Sequence, residues 1–285
     1  MKKFFKNVRK MEPLVHNITN YVTVNDVANI ILACGGSPIM ADDIGEAADI
    51  TSICGGLNIN IGTLNQNTIP SMVAAGKKSN ELGHIVVLDP VGAGASKLRT
   101  DTANMLLKEI HFDAIRGNIS EIKTLMAGYV SQDDGANENQ NSSQTMGVDA
   151  NVADKVTDEN LDETIEKIKA FSKAVGSIIA ITGAIDLVTD GEECYVIRNG
   201  RKEMSRITGT GCQLSGMLTA FLIANPDNKL GAAAAAVCAM GLAGEIAWKG
   251  LRKKDGNSTY RNAIIDTIYN MDGKILEEGA RFEVR

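Results

Sequence analysis

Short apolar runs that end in polar or glycine-rich turns, separated by longer amphipathic stretches, constrain this chain more than any other feature. Ile85-Val86-Val87-Leu88 is continuously apolar and ends at Asp89-Pro90. Ile178-Ile179-Ala180-Ile181 ends at Thr182-Gly183, and the shorter Ala114-Ile115 ends at Arg116-Gly117-Asn118. Leu57-Asn58-Ile59-Asn60-Ile61 alternates and ends at Gly62-Thr63. Such runs are typical of strands buried on both faces of a parallel sheet. Between them, Leu161, Ile165, Ile168, Phe171 and Val175 recur at helical spacing, with Asp162, Glu163, Glu166 and Lys169 in the gaps. The alternation predicts an α/β fold: a three-layer sandwich whose central, mostly parallel sheet carries helices on both faces. A ligand site then belongs outside the carboxyl ends of the strands, where turns distant in sequence converge.

The alternation resumes after one polar interruption, and the candidate site motifs are spread from His16 to Cys212, so a single domain, 1–285, is expected. The segment 131–147 departs from it, being almost devoid of apolar residues up to Gln144, and reads as a polar surface loop. Composition narrows the function. With 29 Lys and Arg against 35 Asp and Glu, the net charge is -6. Nucleic-acid binding needs a local basic excess. The only cluster is Lys2, Lys3, Lys6, Arg9 and Lys10, which reads as a solvated N-terminal helix. No uninterrupted apolar stretch of ~18 residues points to a membrane span, and the N-terminus does not have the pattern of a signal peptide. Five widely spaced cysteines without a CxxC pair fit a reducing cytoplasm. The three scattered histidines suggest no zinc site.

Four segments can carry chemistry. In Thr208-Gly209-Thr210-Gly211-Cys212, glycines precede a helical stretch, and the open N–H groups of a helix N-terminus favour an anion. An ordinary glycine turn is the competing reading. A Walker A loop is excluded by the missing lysine. A dinucleotide loop fits poorly because Gly216 comes one residue late. Cys212 falls on the first helical turn, where a thiol pKa is lowered; it is a candidate base or simply a buried cysteine. In Arg116-Gly117-Asn118-Ile119-Ser120-Glu121, Asn118 and Glu121 have the spacing of a capping box. Glu121 is equally a candidate for Mg²⁺, and Arg116 for a phosphate. Asp89, at a strand end, can ligate a metal or cap its loop. Finally, His16-Asn17-Ile18-Thr19-Asn20-Tyr21-Val22 and Met40 can line a pocket for a small, partly aromatic molecule.

These segments, taken in order with Asn60-Ile61-Gly62-Thr63-Leu64, resemble the hydroxyethylthiazole kinases from Glu12 to about Tyr269. The resemblance implies a ribokinase-like fold and ATP-dependent phosphorylation of 4-methyl-5-(2-hydroxyethyl)thiazole in thiamine salvage. It also implies Mg²⁺ and a homotrimer with active sites between subunits. On this resemblance Met40, Gly209, Thr208, Asn20 and Val22 face the thiazole, and Arg116, Thr182, Asp89 and Asn118 face ATP. Asp89 and Glu121 organise Mg²⁺ and phosphates, and the Gly209-Thr210-Gly211 amides form the anion hole. Cys212 stands where sugar kinases of this fold carry an aspartate base. Two departures stand out: Gly256-Asn257-Ser258-Thr259-Tyr260 in place of a Gly-Pro-Gly-Ser-Phe-like turn, and the long polar segment. A kinase for another small alcohol, a silent binding protein and an NAD-dependent oxidoreductase are the rival functions.

Overall fold

A computed structural model describes residues 1–133 and 154–285. Nine strands form one sheet: β1 (Leu14–Ile18), β2 (Ser37–Met40), β3 (Gly56–Asn60), β4 (Ile85–Asp89), β5 (Ala114–Gly117), β6 (Ile178–Ile181), β7 (Asp186–Thr189), β8 (Cys194–Ile197) and β9 (Phe282–Val284). Their order is β2-β1-β3-β4-β5-β6-β7-β8-β9. Pairing is parallel from β2 through β6. It turns antiparallel from β6 through β9. The chain leaves β1 toward β2 on one side and returns to β3 on the other, so the sheet's switch point lies between β1 and β3. A crevice opens beyond the strand ends at such a point.

The strands alternate their side chains between two cores, as the pleat requires. In β4, Ile85 and Val87 belong to one, and Val86 and Leu88 to the other. The first core packs under α1 (Lys2–Met11), α2 (Val24–Cys34), α8 (Thr210–Ile223), α9 (Lys229–Gly250), α10 (Asn257–Asn270) and α11 (Gly273–Gly279). The second packs under α3 (Ala47–Ile53), α4 (Thr68–Leu82), α5 (Lys97–Glu109), α6 (Ile119–Asp133) and α7 (Leu161–Val175). This is the expected three-layer arrangement. The helical spacing read from Leu161 to Val175 coincides with α7.

The polar segment meets the structure only at its start. Residues 131–133 continue α6 rather than opening a loop, and 134–147 lie outside the described residues. The expected brevity of β5 also needs correction: the strand includes Arg116 and Gly117, so Arg116 is fixed by sheet pairing with Ala180 rather than carried on a turn.

α9 is long and apolar enough to cross a membrane by length and composition, but 94% of its apolar window is buried inside the protein. A helix that is apolar all round suits a core as well as a bilayer. Small residues let its neighbours approach: a Cβ at Gly241 would come within 2.8 Å of the Asn199 backbone.

The N-terminal helix is amphipathic and does more than shed charge into solvent. Phe4, Phe5 and Val8 are buried, while the lysines face outward. Phe5 meets Phe221 of α8 edge-on with ring centroids 5.6 Å apart. Burying a phenylalanine of this kind stabilises by about 1.5–3 kcal/mol. Arg9 donates to the Tyr269 carbonyl at 2.6 Å, and the Met1 ammonium pairs with Glu277 at 2.8 Å. The late Gly256–Tyr260 turn starts α10, and the buried Tyr260 hydroxyl donates to the Gly244 carbonyl at 2.8 Å. That segment anchors α10 onto α9.

Candidate active site

The parallel pairing puts Asn20, Asn60, Asp89, Arg116 and Thr182 at the same edge of the sheet. Asn60 and Asp89 end β3 and β4 as register partners. Asn20 follows β1, Arg116 lies in the last turnings of β5, and Thr182 follows β6. The N-terminus of α8 closes over them from the first face.

Asp89 is the hub. It is fully buried, and its Oδ2 accepts from Ser215 at 2.7 Å and from Asn60 Nδ2 at 2.8 Å. The Arg116 guanidinium lies 3.6 Å away. Burial raises the Asp89 pKa, and Arg116, Ser215 and Asn60 pull it back. Its other oxygen, Oδ1, has no partner, and neither does Arg116 Nε. Buried polar atoms are normally paired, so both have capacity left for a ligand.

Asn20 and Asn60 hold Cys212. Their Nδ2 groups donate to its sulfur at 3.1 and 3.2 Å, and Asn20 Nδ2 also donates to Asn60 Oδ1 at 3.0 Å. The expectation of a lowered Cys212 pKa is overturned. Burial, followed by the Asp89 charge, pushes the thiol up, and these outweigh the pull of Thr23, Arg116 and Asn20. Cys212 is 7% exposed as part of the core, so desolvation of the thiolate wins over the helix terminus.

The N-cap of α8 is Gly209, which offers no side-chain cap and whose φ is +87°. The left-handed conformation favours glycine, and a Cβ there would run into Thr23 Cγ2. A Cβ at Gly211 would run into the Arg116 guanidinium. The arginine therefore lies directly on the first turn of α8. It also donates to the Thr182 hydroxyl. A cation and open N–H groups thus share one surface, which suits a phosphate.

Glu121 is 5% exposed and completes a capping box. Its Oε2 accepts from Asn118 N at 2.8 Å, while its own N–H donates to Asn118 Oδ1 at 2.9 Å. Oε1 accepts from Gly92 N at 2.8 Å, tying the loop after β4 to α6. Burial and the neighbouring Asp89 charge raise its pKa to about 7. A buried carboxylate whose charge raises the ionisation cost of a second one beside it invites a cation. No cluster of three or more metal-ligating side chains occurs among the described residues. Mg²⁺ bound through one or two carboxylates, waters and substrate phosphates needs no such cluster. The unpartnered Asp89 Oδ1 is a hard oxygen donor of the right kind, so the residues fit this ion.

Other expected residues lie around this centre. Met40 ends β2, half-buried, paired in register with Asn17. Val22 is 58% exposed on the loop after β1, and Thr208 is exposed before Gly209. His16 faces away from the chemistry: Nε2 lies 2.7 Å from the Ala41 carbonyl, and Nδ1 2.9 Å from the Thr51 hydroxyl. A carbonyl only accepts, so Nε2 carries the hydrogen, and burial lowers the pKa and keeps the ring neutral. His16 thereby ties β1 to the residue after Met40. Sequence reasoning missed Asn60 and Ser215 as site residues. The signal was available in the polar residues of an otherwise buried strand, and in the three-residue step from Cys212 to Ser215.

Residues 5–274 match the hydroxyethylthiazole kinase family. A hydroxyethylthiazole kinase of Clostridium acetobutylicum is 58% identical over 283 residues, covering 99% of both chains. The solved structure of the hydroxyethylthiazole kinase protein from Pyrococcus horikoshii superposes with a TM-score of 0.83 at 30% identity, covering 99% of this chain and 98% of that one. The pyridoxal kinase of Staphylococcus aureus, solved with ADP, superposes with a TM-score of 0.61 at 14% identity over 95% of this chain and 97% of its own, a likeness of fold alone. The fold is thus ribokinase-like, and the chain belongs to the hydroxyethylthiazole kinase family.

Proposed function

We propose that the protein transfers the γ-phosphoryl group of ATP to the hydroxyl of 4-methyl-5-(2-hydroxyethyl)thiazole. The uncapped first turn of α8, with the Arg116 guanidinium against Gly211, carries this reading. The Gly209, Thr210 and Gly211 amides would receive the transferred phosphoryl oxygens, with Arg116 and Thr182 holding the nucleotide phosphates beside them. Asp89 and Glu121 would hold Mg²⁺, which neutralises phosphate charge when bound. The alcohol oxygen attacks phosphorus while the bond to the leaving ADP oxygen breaks. The transition state is loose, so positioning and charge stabilisation dominate, and the alcohol proton leaves late, to an oxygen of the transferred phosphoryl group and from there to water. Cys212 starts protonated because burial pushes its thiol up. Its share as a base is therefore small, and its sulfur mainly shapes the end of the substrate pocket between Asn20 and Asn60.

The thiazole would lie between the loop after β1, which carries Asn20 and Val22, and the end of β2, which carries Met40, with Thr208 and Gly209 opposite. Tyr21 at 77%, Val22 at 58% and Ile44 at 55% exposure follow the carboxyl ends of the paired strands β1 and β2. Apolar groups gathered beside a site suit burial by another copy of the chain, in keeping with a homotrimer that completes its sites between subunits. A metabolic kinase without a nucleic-acid or membrane partner, working in the cytoplasm, is consistent with the buried α9 and five free cysteines.

The decisive measurement is ADP release with ATP, Mg²⁺ and hydroxyethylthiazole, compared with pyridoxine and hydroxymethylpyrimidine as acceptors. Thiazole-dependent turnover that disappears on chelating Mg²⁺ is expected. Equal or faster turnover of another alcohol would sink the substrate assignment.

A further inference from the structure

A second buried carboxyl stands beside the proposed nucleotide site and is used by none of the chemistry above. Asp186 opens β7 and is 8% exposed. It lies across the short turn that begins at Thr182, at the carboxyl end of β6. Gly183 N donates to its Oδ1 at 2.8 Å. Ile185 anchors the far side of the turn in the second core, but Gly183 and Ala184 are exposed, so packing does little to hold the end next to Thr182. Two links attach the turn to the site. Thr182 N donates to the Gly117 carbonyl at 3.0 Å, and the Thr182 hydroxyl accepts from Arg116 Nη2.

Burying a carboxyl here is costly. Desolvation raises the Asp186 pKa to about 7 against the pull of the Gly183 N–H and the Arg116 charge. An apolar residue would pack at this position without that cost, but it could not accept the Gly183 N–H.

We propose that Asp186 is a positioning residue for the nucleotide. Its oxygen fixes the Thr182–Gly183 turn, the turn fixes the Thr182 hydroxyl, and that hydroxyl aims the Arg116 guanidinium at the phosphates. The proposal rests on the kinase reading, in which Arg116 and Thr182 meet ATP. It assigns the role to the acceptor oxygen rather than to the negative charge.

The test compares Asp186→Asn, which keeps an acceptor oxygen of the same reach, with Asp186→Ala, which removes it. Folding of both is checked by thermal melting. Losing one hydrogen bond that orders a binding group costs on the order of tenfold in affinity. Asp186→Ala is expected to raise KM for ATP about tenfold with KM for the thiazole unchanged, and Asp186→Asn to stay within about threefold of the parent. Binding of a non-hydrolysable ATP analogue, followed by calorimetry, should weaken in the same pattern. A folded Asp186→Ala protein with unchanged ATP affinity would overturn the proposal. So would Asp186→Asn weakened as much as Asp186→Ala, since the charge would then matter. If the parent binds the analogue but never phosphorylates the thiazole, the substrate reading fails, while the calorimetric comparison still judges Asp186.

Discussion

Two helices begin at the same crevice and finish their N-termini in opposite ways. α6 closes its own end: Asn118 and Glu121 exchange hydrogen bonds with each other's backbone N–H groups, and Glu121 takes Gly92 N as well. α8 leaves its end open: Gly209 supplies no side chain, and nothing acidic lies in the first turn. Both ends offer the same partial positive charge. In α6 that charge is spent on a carboxylate from the protein, and in α8 it is kept for a ligand. Arg116 separates them, extending from the end of β5 just before α6 to cover the first turn of α8. A binding end is thus recognised less by its glycines than by the lack of an internal partner.

The comparison breaks most visibly at Gly211. Gly211→Ala places a methyl group where the Arg116 guanidinium now lies, filling the open end. We expect kcat/KM for MgATP to fall on the order of 10²-fold, with the melting temperature lowered as well, because the displaced arginine moves its charge away from the buried Asp89. A near-parental rate would show that the open end of α8 takes no part in catalysis.

Glu121→Gln asks whether the closed end is purely structural. If Glu121 also serves Mg²⁺, the ion concentration for half-maximal rate should rise about tenfold, as for a lost ligand or its support. An unaltered Mg²⁺ titration would leave the glutamate with capping alone. The same variant has a pH signature. Glu121 binds its proton more tightly in the folded protein, near pH 7, than in an unfolded chain, near 4.5. Its contribution is therefore present below pH 4.5 and is lost as pH rises toward about 7. Denaturant unfolding at several pH values should show a shallower decline across that window in Glu121→Gln, and identical slopes would contradict the assignment.

The smallest effect is expected at Cys212. Because the thiol starts protonated, Cys212→Ala should lower kcat by less than about tenfold, below the usual range for a general base, with little change in KM for the thiazole. A loss of 10³-fold or more would restore the cysteine to the role of base.

Much of this was legible in the sequence, for identifiable reasons. Strands such as Ile85–Leu88 and Ile178–Ile181 are apolar on both faces, and only a covered parallel sheet accommodates that. Asp89 and Arg116 were visible because polar residues at strand ends fall at one edge. The Cys212 pKa was misjudged because the helix-terminus effect is local and readable, whereas burial depends on Asn20 and Asn60, 192 and 152 residues away. Asp186 escaped notice because its meaning depends on a turn in which only the backbone of Gly183 is the partner. The continuation of α6 through residue 133 escaped because a polar composition alone looks like a loop.

The N-terminal helix has one more implication, for the order in which the protein is made. Asn7 bonds Asn225, Phe5 meets Phe221, Arg9 reaches Tyr269, and the Met1 ammonium finds Glu277, 276 residues along the chain. Helix α1 therefore leaves the ribosome well before its partners α8 through α11 and is among the last elements to find its seat. Until α8 through α11 arrive, Phe4, Phe5 and Val8 have no core to enter. Its docking closes a loop, and the closure entropy of that step is set by a span of up to 276 residues.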